Sequence, residues 1–212
     1  LFFLMPHMTE MKQTDIRTEF GAFKNSQVWF TVIMGVVGFG GMFSVYTYIS
    51  WTMTEVAGMD QSLIWVVLMA YGIGMTIGNA FGGWLADRNL EFGIIFALAC
   101  LIVILTAFYF LSGHAIPATL CFGCVAFMGS TLVPSLQLRL VHVAGDAQTL
   151  AAALNQSALN IANAAGATIG GAVVGAGLGY SAPALAGAAL AAAGCLVWAA
   201  TMWDKKRLSR RA

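Results

Sequence analysis

From residue 28 onward the chain alternates long uncharged apolar runs with short polar breaks. Crossing a hydrocarbon core of about 30 Å takes roughly 20 apolar residues in a helix. Six windows meet that requirement: 28–54, 63–85, 92–111, 116–138, 150–178 and 183–202. None of them contains Asp, Glu, Lys, Arg or His. Strands of a membrane barrel would alternate apolar and polar residues with a period of two, and these runs do not. The pattern predicts an all-α integral membrane domain of six transmembrane helices.

The breaks read "EVAGMDQS", "ADRNLE", "SGHA", "RLVHVAGDAQT" and "GYSA". With an even number of crossings, Lys12, Arg17, Lys24, Arg88, Arg139, Lys205, Lys206, Arg207, Arg210 and Arg211 all fall on one side. Glu55, Asp60 and His114 fall on the other. Cytoplasmic loops are enriched in Lys and Arg, so the basic side is expected to be cytoplasmic, in a bacterial-type inner membrane with both ends of the segment inside. Trp29, Trp51, Trp65, Trp84 and Trp203 lie near predicted helix ends, where indole rings favour the headgroup region.

Composition supports the same medium. The chain is 59% hydrophobic and 9% charged, with a mean hydropathy of +0.82, whereas soluble domains carry about 25% charged residues. Lipid must cover what water cannot. A net charge of +1 provides no basic face for releasing phosphate counterions, which excludes a nucleic-acid partner.

Before the first window, "LFFLMPHM" lacks a basic leader and a small-residue cleavage site. Residues 1–8 are expected to be the end of a preceding, truncated transmembrane helix, and 9–27 a cytoplasmic linker. Residues 28–203 would then be the six-helix domain and 204–212 a basic cytoplasmic tail.

Several motifs carry candidate chemistry. In the fifth window Gln156, Asn160 and Asn163 share one helical face at about 100° per residue. Amides within lipid need partners, from another helix or from an aqueous cavity. Both readings stay open: interhelical glue, or the wall of a substrate cavity. Phe39, Phe43, Tyr46 and Ser50 make a comparable aromatic-to-hydroxyl face on the first helix, either core or lipid-facing, or part of the same cavity. Gly166, Gly170, Gly171 and Gly175 bring small-residue spacings suited to close helix packing. Pro134 sits inside the fourth window, where a structural kink or a gating bend is expected.

No catalytic set, metal-ligand spacing or cofactor motif emerges, and His7, His114 and His142 are scattered. Cys121 and Cys124 form a CxxC that serves core packing or, in a rival reading, a membrane thiol oxidoreductase. A six-helix scaffold without transport is a further alternative.

Three separated motifs resemble the major facilitator superfamily, in its drug/proton antiporter branch of chloramphenicol, arabinose-type sugar and purine exporters. "GGWLADR" (82–88) is similar to the family's Gly-x-Leu-Ala-Asp-Arg loop, "FSVYTYIS" (43–50) to its seventh helix, and 144–183 to its tenth loop and eleventh helix. Trp51 stands where the branch often has Pro, and Asn89-Leu90-Glu91 where Gly-Arg-Arg is common. The resemblance implies the C-terminal half of a twelve-helix fold, built from two three-helix inverted repeats. It implies a small-molecule substrate of drug, sugar or nucleoside type, exported by alternating access in exchange for protons. The implied partner is a missing N-terminal six-helix half, with Gly83, Asp87 and Arg88 forming a conformational latch against it. The first and fourth helices would line the cavity. With no acid or base in any window, the proton carrier would lie in the other half.

Overall fold

The computed structural model describes residues 21–209. Among them are α1 (Ser26–Trp51), α2 (Ile64–Leu111), α3 (Ala115–Ala144), α4 (Gln148–Gly175) and α5 (Ala182–Ser209). Short 3₁₀ turns precede α1 and α2, α1 runs into a π-helical turn at Thr52–Val56, and no strand occurs among the described residues. Five helical segments are long and apolar enough to cross a membrane, the second spanning Gln61–Leu111. The expected helix end at 1–8 and most of the linker at 9–27 lie outside the described residues.

The long α2 is folded back on itself. Asn89 is its one non-helical residue (φ −157°, ψ 92°). Eight residues of straight helix advance about 12 Å, yet a Cβ on Gly93 would lie 3.1 Å from the Leu85 side chain. The chain therefore reverses here, giving a first arm (64–88) and a second arm (90–111). The Asn89 side chain accepts from the Phe92 backbone N–H at 3.1 Å, the N-cap arrangement that satisfies a free donor at a helix start. A second cap, at Asp60, accepts from the Ser62 N–H at 2.8 Å. The Ser62 hydroxyl and backbone hold this exposed carboxyl below its ordinary value.

In lipid no hydrophobic drive joins helices, so small residues decide where backbones approach. Gly41 of α1 and Gly187 of α5 cross so closely that a Cβ on either would meet the other's carbonyl oxygen at 2.6 and 2.5 Å. Gly74, Gly78 and Gly82 pack against the backbone of Gly123, Phe127 and Thr131. That constant offset means the first arm of α2 and α3 run parallel. Around these crossings a core of Met34, Phe39, Met42, Leu98, Leu101, Leu105, Phe122 and Leu132 is closed to solvent.

The two ends of the bundle differ in charge. Gln27, Glu91, Arg139 and Lys205 meet at one end. At the other, Thr52 donates to the Tyr180 carbonyl, and the Ser112 and Ser181 hydroxyls lie 2.7 Å apart. Every described Lys and Arg belongs to the first end, while Glu55, Asp60 and His114 lie toward the second. Among the described residues the charges divide as the breaks imply. The breaks themselves are shorter than the pattern implied. Asp87 and Arg88 are still helical, Arg139 lies within α3 rather than in a loop, and α5 continues to Ser209 through part of the expected tail. Helix α3 passes through Pro134 without interruption.

Candidate functional site

Gln156, Asn160 and Asn163 are all exposed on one face of α4, and among the described residues their amides make no hydrogen bond. Within these helices they glue nothing. The opposite face of α4 packs on α1: Cβ atoms on Gly166 and Gly170 would run into the Gly40 carbonyl at 2.5 Å and the Tyr48 ring at 2.8 Å. A Cβ on Gly171 would meet the Tyr48 hydroxyl at 2.6 Å, and that hydroxyl donates to the Ala167 carbonyl at 3.1 Å. Beside Gly175 there is open space, so the packing expected at that fourth glycine is not made among the described residues.

The aromatic face of α1 divides. Phe39 is 0% exposed inside the core, which corrects its expected place on a cavity wall: no solute reaches it in this conformation. Phe43 is half-buried, with its ring edge-on to Tyr46 at 6.5 Å. Tyr46 is 41% exposed. Its ring lies 4.9 Å from Tyr71 and 6.4 Å from Phe122, and those two stack at 4.7 Å. Ser50 is exposed one turn further on. The tyrosine and amide stripes sit at different depths. Tyr46 lies level with Gly166 to Gly170 of the parallel α4, so Asn163 and Gln156 are offset from it by roughly 8 and 18 Å at 1.5 Å per residue. Tyr71 and Phe122, the base on which Tyr46 rests, were missed in the sequence because single aromatics in apolar runs carry no signal.

At the basic end a groove of about 320 Å³ opens between the first arm of α2 and α3. It is lined by Gly83, Ala86, Asp87, Pro134, Gln137, Leu138 and Val141. A Cβ at Gly83 would meet nothing within 4 Å, whereas one at Gly82 would strike α3. Gly83 thus keeps a face open rather than packing it. The exposed Asp87 carboxylate has no hydrogen-bond partner among the described residues. Arg88 turns away, its guanidinium 4.2 Å above the Trp84 ring. A wider depression of about 510 Å³ runs along the first arm past Met69, Gly72, Ile73, Thr76 and Ile77. Its one hydroxyl, on Thr76, is spent on the Gly72 carbonyl at 2.9 Å.

Beside the groove, on the inner side, lies a buried ion cluster. Arg139 is 1% exposed and donates to the Thr31 hydroxyl at 3.0 Å, to Gln27 Oε1 at 3.3 Å and to Glu91. Glu91 also accepts from Lys205 at 2.6 Å and from the Trp198 indole at 3.1 Å. Gln27 reaches on to Asp204 at 2.8 Å. Four helical pieces are thereby joined at one end. The departure Asn89-Leu90-Glu91 from the resembled loop has a structural role: it provides a cap and the counter-ion of a buried arginine. Residue spacing could not reveal the pairing, because the partners are distant along the chain.

The four cysteines are free, with Cys124 exposed and the other three half-buried. Among the described residues no group of His, Cys, Asp or Glu could hold a metal ion.

Residues 31–212 match the model of the Major Facilitator Superfamily. The chain belongs to this superfamily. It is 35% identical over 181 residues to the inner membrane transport protein YdhP of Escherichia coli K12, covering 85% of this chain and 46% of that protein. It is 28% identical over 186 residues to a chloramphenicol resistance protein of Streptomyces lividans, covering 86% and 46% respectively. Against a probable sugar efflux transporter of Pasteurella multocida it is 26% identical over 210 residues, covering 97% and 51%. The chain spans about half the length of the relatives it matches. Membership points to a membrane transporter rather than an enzyme and favours transport over both the scaffold and the thiol oxidoreductase readings.

Proposed function

We propose that this chain is the C-terminal half of a secondary exporter that works by alternating access. The two arms of α2 make separate crossings, giving six helices arranged as two inverted three-helix repeats. The basic end faces the cytoplasm of a bacterial-type inner membrane. Gln156, Asn160 and Asn163, with Phe43, Tyr46 and Ser50 at a different depth, line a solute path shared with a second six-helix half. The solute is a small drug-, sugar- or nucleoside-like molecule. It exchanges for protons whose carrier lies in that second half, because the base buried within the helices here, Arg139, is paired with the acid Glu91.

The observation that carries the reading is the amide row on α4. Three uncharged polar side chains at membrane depth have no partner among the described residues, and hydrocarbon cannot satisfy them. A water-filled path or another protein surface can. The groove at Gly83, Asp87 and Gln137 supports the latch reading: an unpaired carboxylate beside an open glycine suits the N-terminal end of a helix from the second half, where the helix dipole favours an anion. Arg88 is left out of direct pairing, being stacked on Trp84.

The test uses the whole protein in vesicles with a panel of compounds. The account expects export of at least one compound, loss of uphill export when the proton gradient is dissipated, and reduced rate or affinity in Asn160→Ala. Uphill export undiminished without a gradient overturns the proton coupling. Unchanged kinetics in both Asn160→Ala and Tyr46→Ala overturn the path.

A further inference from the structure

We infer that the junction between the start of α1 and the end of α5 binds the headgroup of an anionic phospholipid. The two helix ends are fixed side by side. The Ser26 hydroxyl and the Gln27 amide both donate to Asp204 Oδ2, at 2.9 and 2.8 Å, and the Asn25 amide ties the same corner to the Val143 carbonyl at 2.7 Å.

Asp204 accepts from Ser26 and Gln27, and Glu91 pairs with Arg139 and Lys205. Ser26 and Gln27 are neutral, so both acids keep their charge, but five described bases near this end (Lys24, Arg139, Lys205, Lys206 and Arg207) stand against these two acids and leave an excess of three positive charges. Lys24 is exposed just before α1, and among the described residues it forms no ion pair. Arg207 is exposed one helical turn beyond Asp204.

The aromatic groups assign a lipid rather than a free anion. Arg207 lies 5.2 Å over the ring of Trp203, which is 67% exposed. A guanidinium held on a ring face keeps its planar N–H fork available for a phosphate. The Trp203 indole N–H has no partner among the described residues. On α1, exposed Trp29 is braced by the Phe23 ring at 5.8 Å and by a bond to the Phe23 carbonyl at 2.9 Å. Trp29 and Trp203 are both exposed toward the basic end of their helices, where indoles favour the headgroup region. The stack of Arg88 on Trp84 is a contrast within the same molecule: the adjacent Asp87 offsets its single charge, whereas bases outnumber acids around Arg207.

The whole protein is placed in nanodiscs of phosphatidylcholine with a graded share of phosphatidylglycerol, and retained lipids are counted by native mass spectrometry. Retention does not depend on transport, so the outcome is separate from the exporter reading. The account expects phosphatidylglycerol to be retained in preference. Preference should fall about fivefold for each charge removed in Lys24→Gln and Arg207→Gln, fall less in Arg207→Lys, which keeps the charge but loses the planar fork, and fall in Trp203→Ala. Arg88→Gln should leave it unchanged. Equal retention of the two lipids overturns the site. So does an equal effect of Arg88→Gln, which would mean diffuse attraction to the surface. Displacement by millimolar glycerol 3-phosphate would assign the site to a free phosphate and overturn the lipid. If Lys24→Gln with Arg207→Gln does not fold, Arg207→Gln alone decides, because its side chain is exposed.

Discussion

Removing Glu91 should damage this half more than removing the arginine it neutralises. The asymmetry follows from where the two charges sit. Arg139 is 1% exposed, while the Glu91 side chain is 28% exposed. In Glu91→Ala the guanidinium stays buried with only Thr31 and Gln27 for company, and a buried charge stripped of its partner costs about 3–5 kcal/mol. The two remaining acceptors place the cost near the lower bound, about 3 kcal/mol. At about 2–4 °C per kcal/mol for domains of this size, the midpoint should fall by roughly 10 °C. In Arg139→Met no charge is left buried, and Glu91 keeps Lys205, Trp198 and water. That cost should be about 1 kcal/mol, near the net value of an ordinary hydrogen bond. Thermal unfolding of purified protein, followed by thiol accessibility or intrinsic fluorescence, measures all three states. The double variant should match Arg139→Met alone, the signature of coupled sites. Equal losses in the single variants, or a Glu91→Ala shift under about 2 °C, would refute the reasoning, because the charge would then not be confined as described.

Glycine positions offer a matched pair. Gly41→Ala should destabilise by about 1–3 kcal/mol, since its Cβ meets the Gly187 carbonyl; Gly83→Ala should be neutral or stabilise by up to about 1 kcal/mol, having space and a helical backbone. Midpoints in detergent check both. Asn89→Ala should cost about 0.5–2 kcal/mol through the lost cap and speed hydrogen exchange in the residues just after the reversal. Replacing Cys121 and Cys124 with Ser should leave transport intact, since all four thiols are free and none is needed as a redox partner; lost transport with normal folding would revive the thiol chemistry.

Hydropathy and charge made the helices, their order and the separation of bases from Glu55, Asp60 and His114 legible before any coordinates. Apolar length is a local property, which is why it survives. What stayed hidden was contact across the chain. Arg139 read as a loop charge because windows end at charges, yet the helix continues and the charge is buried against Glu91 from another element. The Trp198 indole donates to the same carboxylate, a contact that its place in an apolar run does not announce. Spacing gives a glycine face without saying what covers it: Gly166 and Gly170 lie against α1, whereas Gly175 meets open space. Of the candidate site, the amide row was legible because polar residues stand out against lipid. The burial of Phe39 was not, since core and cavity aromatics share one pattern.

The most direct test of the account is reciprocal accessibility in the whole transporter. Single cysteines are placed at Ser50 and Asp87 in a background without the four native thiols, and labelled by a small water-soluble maleimide with and without an exported compound. Alternating access predicts that conditions raising labelling at Ser50 lower it at Asp87, and the converse. Labelling of both positions that is constant, or that rises and falls together, would contradict it.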